Sequence, residues 1–462
     1  MKPDSNDTIA AISTPPGEGG IGIVRMSGPK AVQIAAKIFK QKNKSKITRA
    51  GSFTVRYGIV HNKLAHVDEV LLTVMLAPKT YTKEDVVEIS CHGGIVPLRT
   101  TLRLCLENGA RAANPGEFTK RAFLNGRIDL AQAEAVINII RSKTDAALKC
   151  AVGQLEGRLS KMVNKLREKL IDILAGIEAS LDYPEDGIPF ISRSKLSVKL
   201  NEVSRDIEKL LKTSETGRII REGLVTVLVG KPNAGKSSIL NALLQEEKAI
   251  VTAIPGTTRD IVEDTINIHG IPVIIKDTAG IRHTKNEIEI IGVRKSRESI
   301  RQADLVLFVL DLSTQISKED RIIAADIKDS KVIILGNKCD LKQKPALARI
   351  KKLVPQTPSP AFIKISAKEG KGIASLEKLI YRKFIKGELN ISDTVMVTDI
   401  RHKNALLKAY TAMKKALRAI GASEEFIALD LRQALDALGE IVGETTTEDI
   451  LDRVFSRFCV GK

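Results

Sequence analysis

The octapeptide Gly230-Lys-Pro-Asn-Ala-Gly-Lys-Ser237 constrains this chain more tightly than anything else in it. It follows the apolar, β-branched run VTVLV and opens the segment SSILNALLQ, whose apolar residues have helical spacing. A GxxxxGKS loop between a strand and a helix turns successive backbone N–H groups inward, where they cradle phosphates. Lys236 can then reach β- and γ-oxygens, and the Ser237 hydroxyl can ligate Mg²⁺. Asn233, Ala234, Gly235, Lys236, Ser237 and Ser238 are therefore the predicted phosphate-contacting residues. The runs VTVLVG, PVIIKDTAG, DLVLFVLD, KVIILGNK and AFIKISA each close on polar residues, the signature of a doubly wound α/β sheet.

Further elements follow in an order that selects the nucleotide. Gly256-Thr257-Thr258 lies in a polar loop, where Thr258 can complete the Mg²⁺ shell. Asp277, Thr278, Ala279 and Gly280 follow the run PVIIK, which places a carboxylate near the metal and a glycine N–H near the γ-phosphate. Asn337, Lys338 and Asp340 follow the run VIILG. A carboxylate at Asp340 can accept two guanine N–H donors that adenine does not offer. Ser366, Ala367 and Lys368 suit a loop against the base. The nucleotide expected is GTP.

Hydrolysis needs a different solution from that of Ras-like enzymes, which orient water with a glutamine after the DTAG-type motif. Ile281 stands there instead. Asn233, together with Thr252, Ala253, Ile254, Pro255, Gly256 and Thr257, resembles the potassium-binding arrangement of cation-dependent GTPases, where the cation sits in place of an arginine finger. Glu289 in NEIEIIG can orient water, and it equally fits a solvated helix face; the residues alone leave both open.

The chain's 462 residues suggest about three domains. Residues 1–120 alternate short apolar runs with turn signals and helical stretches, a mixed α/β domain. From Leu130 to Leu181 apolar residues recur at three- and four-residue intervals, which predicts a pair of long helices. Helical periodicity resumes in NEVSRDIEKLLKTS and again after Glu388. The expected architecture is multidomain α/β plus α: an N-terminal α/β domain (1–120), a helical domain in parts (121–220 and 388–462), and an inserted P-loop G domain (221–387).

Net charge is +18, from 73 Lys and Arg against 55 Asp and Glu. That field draws in polyanions such as nucleic acid, although a lysine-rich lineage would also produce it. Aromatics are 3% and Trp is absent, which argues against a platform for stacking single-stranded bases. The cysteines are five and scattered, fitting neither a disulfide framework nor a zinc cluster. No secretory signal and no run long enough to span a membrane is expected, and the setting expected is cytoplasmic.

Outside the nucleotide motifs, PPGEGGIGIVRMSGP (15–29), VEISCHGG (87–94), NPGEFTKRAFLNGRIDLAQAEAV (114–136) and the terminal CVGK (459–462) carry a resemblance. Together with GKPNAGKSS, AIPGTTRD and DTAGIR, they are similar, end to end, to the MnmE (TrmE) family of tRNA modification GTPases. The resemblance implies an N-terminal folate-binding and dimerisation domain, a homodimer, and an FAD-dependent partner, MnmG (GidA), in a heterotetramer. It implies tRNA as substrate, with a carboxymethylaminomethyl or aminomethyl group placed on C5 of the wobble uridine, position 34. A 5-formyl- or 5,10-methylene-tetrahydrofolate would contact Arg25, Glu88, Arg127 and Lys462. The potassium ligands would be Asn233, Thr252, Ile254 and Thr257, and the water-orienting carboxylate Glu289. Pro255 departs from the family's usual small residue, and its fixed φ would stiffen the potassium loop. Cys459 fits either a thiolate that adds to C6 of uridine or a small apolar residue packing the last helix. The alternative function is an RNA-binding ribosome-assembly GTPase that modifies nothing.

Overall fold

The computed structural model describes residues 7–42, 51–62, 65–182, 192–246, 263–277, 297–345, 349–350, 352–354, 361–385, 394–421 and 423–462. They fall into two compact units, one drawn from 1–140, 153–207 and 404–462 and the other from 141–152 and 208–403.

In the first unit β1 (Ile9–Ile12), β2 (Gly19–Ser27), β3 (Phe39–Gln41), β4 (Thr54–His61), β5 (His66–Met75), β6 (Val86–Gly93) and β7 (Arg111–Ala112) form one sheet. The strand order is β3-β4-β5-β6-β2-β1-β7, antiparallel except for the β1–β7 pair. Side chains alternate across a strand, so one parity of β2 and β6 is apolar: Val24, Met26, Val87, Ile89 and Cys91. These residues pack on α1 (Ala31–Ile38) and α2 (Ile95–Glu107) through Ile34, Ile38, Leu98 and Leu104. Each such side chain contributes about 1.5–3 kcal/mol by leaving water. The other parity carries Arg25 and Glu88, which the register sets opposite one another.

The helical part of this unit includes α3 (Glu117–Leu124), α4 (Leu130–Ile140) and α6 (Arg158–Asp182). The pair of long helices expected between Leu130 and Leu181 is instead three, because α5 (Asp145–Leu155) intervenes. Thr144 accepts the Ala147 N–H at 3.2 Å and starts a new helix, and Gly157, at φ 80°, follows its end. Helical periodicity runs through such breaks without registering them.

The chain continues through α7 (Arg193–Glu222) into the second unit. There β8 (Leu224–Val229), β9 (Glu263–Ile268), β10 (Ile271–Asp277), β11 (Leu305–Asp311), β12 (Val332–Asn337) and β13 (Ala361–Lys364) form a sheet in the order β13-β12-β11-β8-β10-β9. All pairs are parallel except β9–β10. The unit also holds α8 (Lys236–Glu246), α9 (Lys318–Asp326) and α10 (Ile373–Phe384). β9 is not among the expected strands. It is an edge strand of mixed sequence EDTINI, joined to β10 by His269 and Gly270 at φ 50° and 90°.

After α10, Arg221 at the end of α7 pairs with Asp399 at 2.5 Å, and Val397 N–H donates to Thr213 at 3.1 Å. Asp399 immediately precedes α11 (Ile400–Ala419). The points where the chain enters and leaves the nucleotide sheet are thus tied together. The last helices are α12 (Glu424–Val442) and α13 (Glu448–Phe455). Among the described residues no helix is long and apolar enough to cross a membrane.

Candidate functional sites

In the second unit, β8 delivers the chain into the loop 230–235 and α8 begins at Lys236. Asn233 takes φ 61° and Gly235 φ 98°. A Cβ on Gly235 would lie 2.1 Å from Asn337 Nδ2, so no larger residue fits there without displacing Asn337. Lys236 Nζ donates to the carbonyls of Gly230 (2.8 Å) and Lys231 (3.1 Å), which anchors the ammonium across the loop. Ser237 and Ser238 are exposed on the first turn of α8, where helix N–H groups point outward and favour anions. Asp277, the last residue of β10, is paired in register with Leu228 of β8 and so sits at the same end of the sheet as the loop. A serine hydroxyl is a hard oxygen donor of the kind that Mg²⁺ takes.

Asn337, 2% exposed, joins two parts of the site. Its Nδ2 donates to Ala234 O at 2.9 Å and its Oδ1 accepts Ala367 N–H at 3.2 Å. One side chain therefore links the phosphate loop to the loop of Ser366, Ala367 and Lys368. Lys338, at φ 61°, donates to Asp311 Oδ2 at 2.7 Å. Burial raises the Asp311 pKa, but hydrogen bonds from Lys338 and Ser313 outweigh it and hold the carboxyl below its usual range. Asp340 is exposed, and the Ser366 hydroxyl with its own backbone N–H lowers its pKa. It is thus ionised at neutral pH and able to accept N–H donors.

Sequence reasoning missed Lys231. Its ammonium donates to Thr314 at 2.9 Å and lies 3.5 Å from Asp320, whose side chain is 2% exposed and caps α9. The lysine in the second position of a GxxxxGKS loop carries no recognisable signal, since that position accepts most residues. Thr252, Ala253, Ile254, Pro255, Gly256, Thr257, Thr258, Thr278, Ala279, Gly280 and Glu289 lie outside the described residues.

The first unit brings together Arg25, Glu88 and the chain's last residues. Arg25 Nε and Nη2 each lie 2.7 Å from Glu88 Oε1, with the side chains 16% and 23% exposed. Arg25 Nη1 donates to Gly461 O at 3.3 Å, and Ser13 Oγ donates to the same carbonyl at 3.2 Å. Gly461 is at φ 92°, and a Cβ there would meet Ile12 O at 2.4 Å. The tail is packed in this position by Phe455 and Phe458, which join Ala122, Leu130 and Ile137 in one core. Lys462 is half-buried; burial and the nearby Arg25 lower its pKa, while Glu88 acts the other way. Cys459 is exposed, and its carbonyl accepts Gly116 N–H at 3.4 Å.

Arg127 approaches this cluster through Tyr81. The Tyr81 ring centroid is 4.8 Å from Arg127 Cζ and 5.8 Å from Arg25 Cζ. Beside Arg127 is a cleft of about 440 Å³ lined by Phe53, Met75, Pro78, Lys79, Thr80, Tyr81, Lys83 and Arg127. Tyr81, Lys79 and Lys83 were not singled out by sequence, where APKTYTKED reads as an ordinary polar loop. Below the cluster, buried Arg121 holds Asp7, Glu84 and Glu117 at 2.6–3.2 Å and fixes α3 against the sheet.

Comparison with known proteins assigns both units to one lineage. The family model described as GTP-binding protein TrmE N-terminus matches residues 8–127, and the MnmE helical domain model matches residues 130–459. The tRNA modification GTPase MnmE of Desulforamulus reducens is 49% identical over 99% of this chain and 100% of that protein. Its counterpart in Clostridioides difficile is 50% identical over 99% of each. With matches of about half identity that cover nearly the whole of both chains, and family models over both 8–127 and 130–459, the chain belongs to the MnmE family of tRNA modification GTPases.

Proposed function

We propose that the chain is a potassium-stimulated GTPase that works with an FAD-dependent partner, MnmG (GidA). Together they install a carboxymethylaminomethyl or aminomethyl group on C5 of the wobble uridine, position 34, of certain tRNAs. The observation that carries this is the convergence of Arg25, Glu88 and the tail carbonyl of Gly461, a charged cluster separate from the nucleotide loop. A GTP switch alone has no use for it.

At the nucleotide site Lys236 offers its ammonium to the β- and γ-phosphates, and loop N–H groups surround them. Mg²⁺ held by Ser237 and Thr258 would neutralise phosphate charge. Potassium held by Asn233, Thr252, Ile254 and Thr257 would do so where an arginine finger otherwise acts. Glu289 orients the attacking water. Asp340 reads the base.

At the second site a reduced folate, 5-formyl- or 5,10-methylene-tetrahydrofolate, binds Arg25, Glu88, Arg127 and Lys462. Both Arg25 contacts fall on Glu88 Oε1, and the Glu88 carboxylate accepts the N–H donors of a pterin edge. Arg127 and Lys462 offer cations to the glutamyl carboxylates. Cys459, exposed on the tail, supplies a thiolate to C6 of the uridine, making C5 nucleophilic.

The outer face of the N-terminal sheet exposes Val55 (61%), Tyr57 (46%) and Leu71 (45%), which supports burial against a second copy in a homodimer. The division into 1–120, 121–220, 221–387 and 388–462, the MnmG heterotetramer and a cytoplasmic setting belong to the same proposal. Mass spectrometry of tRNA nucleosides tests it. A C5-aminomethyl-type uridine should vanish on deletion of the gene and return with the wild type, but not with Lys236→Ala or Cys459→Ser. An unchanged nucleoside profile would leave the ribosome-assembly alternative standing.

A further inference from the structure

We infer that the cleft beside Arg127 selects reduced folates with a poly-γ-glutamyl tail, Lys79 and Lys83 pairing the tail's additional carboxylates. This rests on the proposed folate site and names the form of folate that the site takes.

The cleft, of about 440 Å³, has Lys79, Lys83 and Arg127 in its wall and neither aspartate nor glutamate among its lining residues. Its cations are therefore not neutralised from within the lining. Lys83 Nζ donates to Gly126 O at 3.1 Å, which holds the ammonium beside Arg127 and leaves further N–H donors for a ligand. Lys79 is exposed at the same cleft.

Tyr81 connects the cleft to the proposed folate site. Its ring lies within 5.8 Å of Arg25 and 4.8 Å of Arg127, and its hydroxyl is fixed by Thr119 at 2.9 Å. A ligand whose rings are read by Arg25 and Glu88 would leave along this tyrosine into a basic, partly apolar trough. A monoglutamyl tail offers two carboxylates, fewer than the cations available once Lys462 is counted. Each added γ-linked glutamate brings one more carboxylate at regular spacing along a flexible chain, the ligand chemistry that a row of lysines rewards. Phosphates of RNA bring no apolar group to Phe53, Met75 and Pro78 in this lining, whereas the aminobenzoyl stem of a folate does.

The test uses the full-length protein and equilibrium binding of 5-formyl-tetrahydrofolate carrying one or three glutamates, at low and high salt. Each exposed pair is worth about two- to fivefold, so the triglutamyl form should bind about tenfold more tightly. High salt should shrink that ratio. In Lys79→Ala/Lys83→Ala the ratio should fall to about one, and in Lys79→Arg/Lys83→Arg it should persist. Equal affinity for both forms in the wild type, or a preference that survives the double alanine variant, would overturn the inference while leaving the folate site intact. Failure of both forms to bind would overturn the folate reading itself, and this inference with it.

Discussion

The phosphate loop and the Arg25 cluster show two ways in which a chain builds a charged site. The loop is contiguous: Gly230 to Ser237 supply the cradle, and Lys236 is anchored to carbonyls five and six residues away. The Arg25 cluster is assembled from afar, with Glu88 63 residues distant and Gly461 436 residues distant. A contiguous site survives wherever its strand–loop–helix survives. A dispersed site depends on sheet register, on helix packing and on the path of the last residues. The first should therefore fail by loss of single groups, and the second also by displacement of elements that touch no ligand.

The largest effect should come from the contiguous site. Lys236→Ala removes the cation aimed at the phosphates and should lower kcat for GTP by about 10²–10³-fold, with the fold retained by circular dichroism. Retention of hydrolysis would show that the loop is not the catalytic cradle. The dispersed site should respond to a residue without a functional side chain. In Gly461→Val a branched Cβ meets Ile12 O, so the carbonyl bound by Arg25 must move. Reduced-folate affinity should fall about 10–100-fold while GTP affinity changes less than about twofold. Unaltered folate binding would detach the tail from the site.

Asn337→Ala blurs the contrast, because it makes the contiguous loop depend on a distant residue. It leaves Ala234 O and Ala367 N–H without their partner, a cost of about 1–3 kcal/mol. GTP affinity should drop about tenfold, together with the melting temperature of the G domain. The smallest effect is expected for Lys231→Ala, which strips the buried Asp320 of its cation. The KM for GTP should rise about threefold, and Lys231→Arg should restore it. A change in kcat alone would assign Lys231 a role in chemistry instead.

The difference between the sites also explains what could be read from the sequence. Strands β8, β10, β11, β12 and β13 announce themselves as apolar runs, and the loop motif stands between two of the expected elements. β9 went unrecognised because an edge strand of sequence EDTINI is too polar to stand out. Helix breaks at Thr144 and Gly157 were invisible to a periodicity that resumes in phase with little delay. Arg25 and Glu88 were named only through family resemblance. Nothing local indicates that β2 and β6 pair in a register that sets one opposite the other. Tyr81, Lys79 and Lys83 were missed for the same reason: their meaning lies in a cleft completed by Arg127. Asn337 was expected at the nucleotide, yet both ends of its amide are engaged by the backbone of neighbouring loops.

On the proposed reading one chain holds two separately built sites, one for GTP and one for a reduced folate. Calorimetric titration of both ligands into Arg25→Ala separates them. Arg25→Ala should lose folate binding by at least about tenfold, since a half-buried charge pair and a bond to the tail are removed, while its GTP affinity stays within about twofold. Undiminished folate binding, or a parallel collapse of GTP binding, would contradict that reading.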